Sequence, residues 1–208
     1  MAYSDFTLKS VKQAFSLKTE EQNDLFAKII DAKVSEHLNS WLQEQVPLGL
    51  AIGTEKARSE MIIAPILVEA RKLFQRRVSL FSGIELDVDA EQGLSGVCDF
   101  IFSRSPEQLT LTAPAVMIVG AKREEINPGL ARCIAEMVAA RIFNEREETN
   151  IKTIYGVVTV GSVWKFLKLD GQTVFIDRTE YYLPQVGKVL GILLNIFQES
   201  VAWQKAAT

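Results

Sequence analysis

The sequence predicts an α/β domain, a mixed β-sheet flanked by helices, and three observations carry that expectation. GIELDVDAEQ alternates Ile84, Leu86 and Val88 with Glu85, Asp87 and Asp89, the period of a half-buried strand. AVMIVGAK, from Ala115 to Lys122, is an apolar run of strand length with no polar face, as expected of a strand covered on both sides. The segments around these two carry apolar residues at three- and four-residue spacing, the period of helices that pack on a sheet.

From Thr19 to about Gln45, Leu25, Phe26, Ile29, Ile30, Val34, Leu38, Trp41 and Leu42 follow the helical period, so a first amphipathic helix is expected there, ended by Pro47 and Gly49. A second helix should begin at Thr54 as N-cap and run to about Gln75, kinked at Pro65. The strand at 84–89 turns back between Gly93 and Gly96 into GVCDFIFS, its antiparallel partner. After the polar loop RSPEQLTLTAP comes the 115–122 strand, and Asn127 or Pro128 then opens a helix closed by EREETN. IKTIYGVVTVG and SVWKFLKLDGQTVFID supply two or three more strands with Asp170-Gly171 as a hairpin turn, and a last helix spans about Pro184 to Gln204. The expected core is thus αβββαβ. Residues 1–50 form an N-terminal helical extension, 51–180 the core and 181–208 a C-terminal helix of one domain.

A chain of 208 residues, 48% hydrophobic, has material for one sizeable core. Its 23 basic and 26 acidic residues leave a formal charge of -3, which excludes a global positive field for nucleic acid; any polyanion site has to be local. RKLFQRR gathers Arg71, Lys72, Arg76 and Arg77, either a solvated helix surface or a phosphate-contacting patch. Cys98 and Cys133 lack metal or redox spacing and read as free buried thiols of a reducing compartment. The start MAYSDFTLKS has no secretion core, and no apolar stretch reaches the roughly 18 residues of a membrane span, so a cytoplasmic protein without membrane contact is expected. His37, the only histidine, belongs to the first helix, which argues against Ser-His-Asp or Cys-His chemistry.

Alternation puts Ile118, Gly120 and Lys122 on one face of their strand, and Asp99 on the same face as Val97 and Ile101 of the preceding one. A carboxylate in that apolar setting needs a cation beside it. Lys122 either marks where the strand reaches water or aims a charge into a cleft. With Asp99 in GVCDFIF and Lys122 in VMIVGAK, on two strands followed by a helix and a further strand, residues 54–177 resemble the PD-(D/E)XK nuclease superfamily, whose fold is restriction-endonuclease-like. The resemblance implies an Asp and a Glu binding Mg²⁺ or Mn²⁺, and a lysine that orients or activates the water attacking a phosphodiester. It also implies a nucleic-acid partner, DNA ahead of RNA.

The superfamily pattern places an acid at position 120, where this chain has Gly120. Glu136, fourteen residues after Lys122, is the candidate substitute; its other reading is a surface glutamate paired with Arg132 at i-4. Glu60 resembles the auxiliary N-terminal acid, with Glu69 as the alternative, and Glu124 shares the parity of Lys122 beyond the strand. The expected metal ligands are Asp99, Glu136, Glu60 and the Ala121 carbonyl, with Lys122 stabilising charge on the attacked phosphate. Two other readings stay open: a catalytically silent relative that binds nucleic acid or a protein, and an interaction domain dimerising through its first and last helices.

Overall fold

The computed structural model describes residues 2–122 and 125–205, the side chains of 201–205 excepted. Its centre is a mixed eight-stranded sheet among the described residues, in the order β1-β7-β6-β5-β4-β3-β2, with β8 added beside β6. The strands are β1 (Lys18–Glu20), β2 (Ser79–Glu85), β3 (Val97–Ser103), β4 (Ala115–Ala121), β5 (Thr153–Thr159), β6 (Val163–Asp170), β7 (Thr173–Ile176) and β8 (Tyr181–Tyr182). The helices are α1 (Leu8–Ala14), α2 (Glu36–Ile52), α3 (Glu55–Arg58), α4 (Ala64–Leu73), α5 (Asn127–Arg146) and α6 (Val186–Lys205).

β4 is buried along its whole length, as its unbroken apolar run predicts. It pairs antiparallel with β3 and parallel with β5, and α5 is the crossover that a parallel pair requires. α5 and α1 cover one face of the sheet, through Ile134, Met137 and Val138 against Ile118, Val158 and Leu167. α2, α4 and α6 cover the other, where Ile66, Leu67, Leu193 and Phe197 meet Phe102, Met117 and Val119. α6 turns Val189, Leu190, Leu193, Ile196 and Phe197 inward, so the apolar face of this part of the last helix is covered by its own chain. No helix among the described residues is long and apolar enough to cross a membrane.

The helix expected from Thr19 to Gln45 is not formed over its first half. Lys18–Glu20 is an edge strand parallel to β7, and the chain from 21 to 35 runs irregularly across the molecule before α2 begins. Leu25, Phe26 and Ile29 are apolar because they are pinned to the core, with the Phe26 ring 5.6 Å from Phe166 and 6.3 Å from Tyr155. Apart from one local turn bond, Ile29 N–H to Phe26 O, the backbone bonds of this stretch are made with distant partners: Arg178 N–H to Asn23 O, Ala32 N–H to Gly187 O, and Leu25 N–H to the Asp177 carboxylate. α2 starts where Ser35 caps it by accepting from Leu38 N–H at 3.2 Å, and it stops at Gly53, which adopts φ 69°. Pro47 sits inside α2 instead of ending it; Gln43, whose carbonyl loses its partner there, is exposed to water.

The second helix is present, ends at Leu73, and has its irregularity in the turn before Pro65. Thr54 caps α3, and a π turn at Ser59–Ile63 joins it to α4. Pro65 has no N–H for the Met61 carbonyl, and the Trp41 indole N–H reaches across from α2 to supply one at 2.9 Å. The first hairpin is also present, but its strand begins at Ser79 rather than Ile84. Leu86 and Val88 belong to its looser arm, donating to Gly96 O and Leu94 O. In RKLFQRR, Arg71 donates to Val78 O, Lys72 faces Glu69 at 3.7 Å and Arg77 lies 4.5 Å from the centre of the Phe74 ring, so three of the four cations have local partners.

Asp177 is fully buried and accepts from Leu25 N–H, Thr179 N–H and the Tyr181 hydroxyl, tying the irregular 21–35 stretch to the β7–β8 connection. Asp177→Ala should cost about 1–3 kcal/mol in urea unfolding by leaving Leu25 N–H and the Tyr181 hydroxyl unsatisfied. Amide exchange should rise first between residues 23 and 32.

Candidate functional site

At their far ends β3 and β4 part. The ladder runs through Phe100 opposite Val119, and beyond it the Asp99 side chain accepts the Ala121 N–H at 2.8 Å. β4 stays tied on its other side, where Lys122 N–H donates to Thr159 O at 2.8 Å. Lys122 therefore leaves the sheet on the face of Ile118 and Gly120, toward α5. Gly129, in the first turn of α5, makes room for it: a Cβ there would lie 3.0 Å from Lys122 Cγ and 2.7 Å from Val158 Cγ1. The ammonium bonds the Ala121 carbonyl at 2.5 Å and stands 3.6 Å from Asp99 Oδ2.

α5 brings a second cation. Arg132 Nε donates to Glu136 Oε1 at 2.9 Å, while its Nη2 donates to the Val97 carbonyl at 2.8 Å and lies 3.7 Å from Asp99 Oδ1. Asp99, Lys122 and Arg132 keep 22%, 16% and 27% of their side chains exposed, so a ligand can reach them, whereas Glu136 is 1% exposed beneath them. Glu136 Oε2 accepts no hydrogen bond among the described residues. Burial pushes the Glu136 carboxyl up from its ordinary 4.5 to about 7, against the pull of Arg132. Burial works against the Arg132 charge as well, yet Glu136 and Asp99 outweigh it and hold the guanidinium above its usual value.

Of the residues expected here, Asp99, Lys122, Glu136 and Ala121 meet at one end of the sheet, although the Ala121 carbonyl serves Lys122. Glu60 does not join them. It lies on the π turn of the opposite helical layer, 63% exposed and 3.7 Å from Lys56. Glu69 belongs to that same layer, on α4, and is buried beside Lys72. Glu124 lies outside the described residues. His37 is exposed on α2, and Cys98 and Cys133 are free, buried thiols that desolvation makes harder to ionise. Arg132 is the site residue that sequence reasoning missed in this role. Its i,i+4 spacing from Glu136 was visible, but its reach to Asp99 and Val97 depends on how α5 lies over β3.

The donor set does not fit Mg²⁺, which takes about six oxygens in a near-octahedral shell. Asp99 is engaged with the Ala121 N–H and faces two cations, one Glu136 oxygen is bonded to Arg132, and two positive side chains already oppose two carboxyl groups. Among the described residues no three His, Cys, Asp or Glu side chains form a metal-binding group. Comparison of the chain with protein-family models, with curated proteins and with solved structures finds no match.

The raised Glu136 carboxyl gives stability a direction with pH. The folded protein holds this proton over a range in which the unfolded chain has released it, so the contribution is complete below about pH 4.5 and is lost as pH rises toward 7. Across that range the change is at most about 3 kcal/mol. Urea unfolding of wild type against Glu136→Gln should show the slope in wild type and a flatter profile in the variant.

Proposed function

We propose that this chain is a nuclease-like protein of the PD-(D/E)XK kind, with a restriction-endonuclease-like core, whose site grips the phosphate backbone of a nucleic acid, DNA first, without hydrolysing it. The observation that carries the reading is the two-against-two charge arrangement in which Lys122 and Arg132 oppose Asp99 and Glu136. The nuclease-like part is supported by Asp99 and Lys122 meeting on adjacent strands, with a helix crossover from β4 to the parallel β5 directly after.

Lys122 and Arg132 retain exposed surface for a phosphate oxygen. α5 adds to them: Gly129 in its first turn lies against the Lys122 stem, so the positive end of the helix is beside Lys122. Hydrolysis asks for more, namely an activated water and a cation that stabilises the developing charge. The carboxylates that would recruit that cation are already opposed from within, and position 120 is Gly120. A Cβ at 120 would meet only Val157 O, at 3.8 Å, so the backbone there leaves room for the first carbon of a side chain.

The test is fluorescence anisotropy of labelled duplex DNA and single-stranded RNA across a salt series, with cleavage assayed in Mg²⁺ and Mn²⁺. With two cations in contact, log affinity should fall with log salt at a slope of about -2, and Lys122→Ala should weaken binding and reduce that slope by about 1. Native cleavage that disappears in Lys122→Ala would replace this reading with an active hydrolase. Cleavage gained only on Gly120→Glu supports a silent nuclease scaffold. Neither binding nor cleavage would turn the site toward a protein partner.

A further inference from the structure

We infer that Arg132 is this site's resident cation: its guanidinium does for Asp99 and Glu136 the electrostatic work of a divalent ion and thereby closes the site to metals. The inference concerns what the carboxylates hold and does not depend on whether a nucleic acid binds.

Three oxygens of the kind a hard cation uses are gathered by this one side chain: Glu136 Oε1 at 2.9 Å, the Val97 carbonyl at 2.8 Å and Asp99 Oδ1 at 3.7 Å. The planar fork of a guanidinium suits that task, because it presents several donors in fixed directions and keeps its charge at any working pH. The group is anchored at both ends. Glu136 is fully buried, so the Arg132–Glu136 contact is poorly screened, and Asp99 is held in turn by the Ala121 N–H. Lys122 brings a second positive charge to the other Asp99 oxygen, which adds to the repulsion a dication would meet. What remains open is Glu136 Oε2, buried and without a hydrogen bond among the described residues. With Arg132 removed, Glu136 would present two free oxygens beside Asp99.

The probe is Mn²⁺ alone, titrated into the full chain and followed by the electron paramagnetic resonance signal of the free ion and by the melting temperature. Wild type should show no saturable binding and no stabilisation. Arg132→Gln should gain saturable Mn²⁺ binding, at least about tenfold tighter than the highest Mn²⁺ concentration at which wild type shows no saturation, which is about 1.4 kcal/mol, and a melting temperature that rises with Mn²⁺. The double variant Arg132→Gln/Glu136→Gln should lose that gain. Arg132→Met, which keeps an apolar stem, takes the place of Arg132→Gln if the latter does not fold. Saturable Mn²⁺ binding by wild type that Glu136→Gln abolishes would overturn the inference without any Arg132 variant. So would a folded Arg132 variant that binds no better than wild type. DNA or RNA affinity is measured separately, so failure here leaves the phosphate-binding reading to its own test.

Discussion

The Asp99 carboxylate is the constraint on which the site depends. It sits where β3 and β4 part, at the point where a backbone ladder would otherwise leave the Ala121 N–H without an acceptor. A carboxylate largely removed from water is costly unless cations meet it, and here one arrives from β4 and one from α5. Neither cation is placed by its own local sequence alone. Lys122 is directed by the parallel pairing of β4 with β5 and by the room that Gly129 leaves, and Arg132 by the packing of α5 across β3.

Adjacent strands carrying an acid and a lysine, with a helix over their ends, here hold a centre in which side-chain cations meet the carboxyl groups. Ion pairing inside a poorly hydrated pocket competes directly with metal coordination, because each carboxylate oxygen given to a guanidinium is withdrawn from a cation shell. Glu136 shows the tension most clearly. Burial favours its neutral form while Arg132 favours the charged one, and the outcome lies near neutral pH.

The periodicity of the sequence was informative where one element buries one face, and misleading where the chain is apolar for another reason. β4 was legible because a run of seven buried residues has no other economical explanation, and α5 because a long apolar period follows Pro128. The 21–35 stretch failed because Leu25, Phe26 and Ile29 imitate a helical face while being pinned one at a time against Phe166, Tyr155 and α6. Its hydrogen-bond partners lie some 150 residues away in the chain, as with Asp177 and Leu25, and no local window contains them. Pro47 misled in the opposite sense: an exposed helix tolerates the lost bond because water serves the freed carbonyl.

The sequence by itself determined that Lys122 shares a strand face with Ile118 and Gly120, that Asp99 shares one with Val97 and Ile101, and that a helix follows Lys122, because all three are matters of local period and identity. Tertiary structure alone decided that Glu60 lies in the opposite helical layer and that Arg132 bridges Asp99, Glu136 and the Val97 carbonyl. The reason is geometric: alternation states which face of a strand a side chain takes, but the angle at which a helix crosses that strand settles which charges meet there.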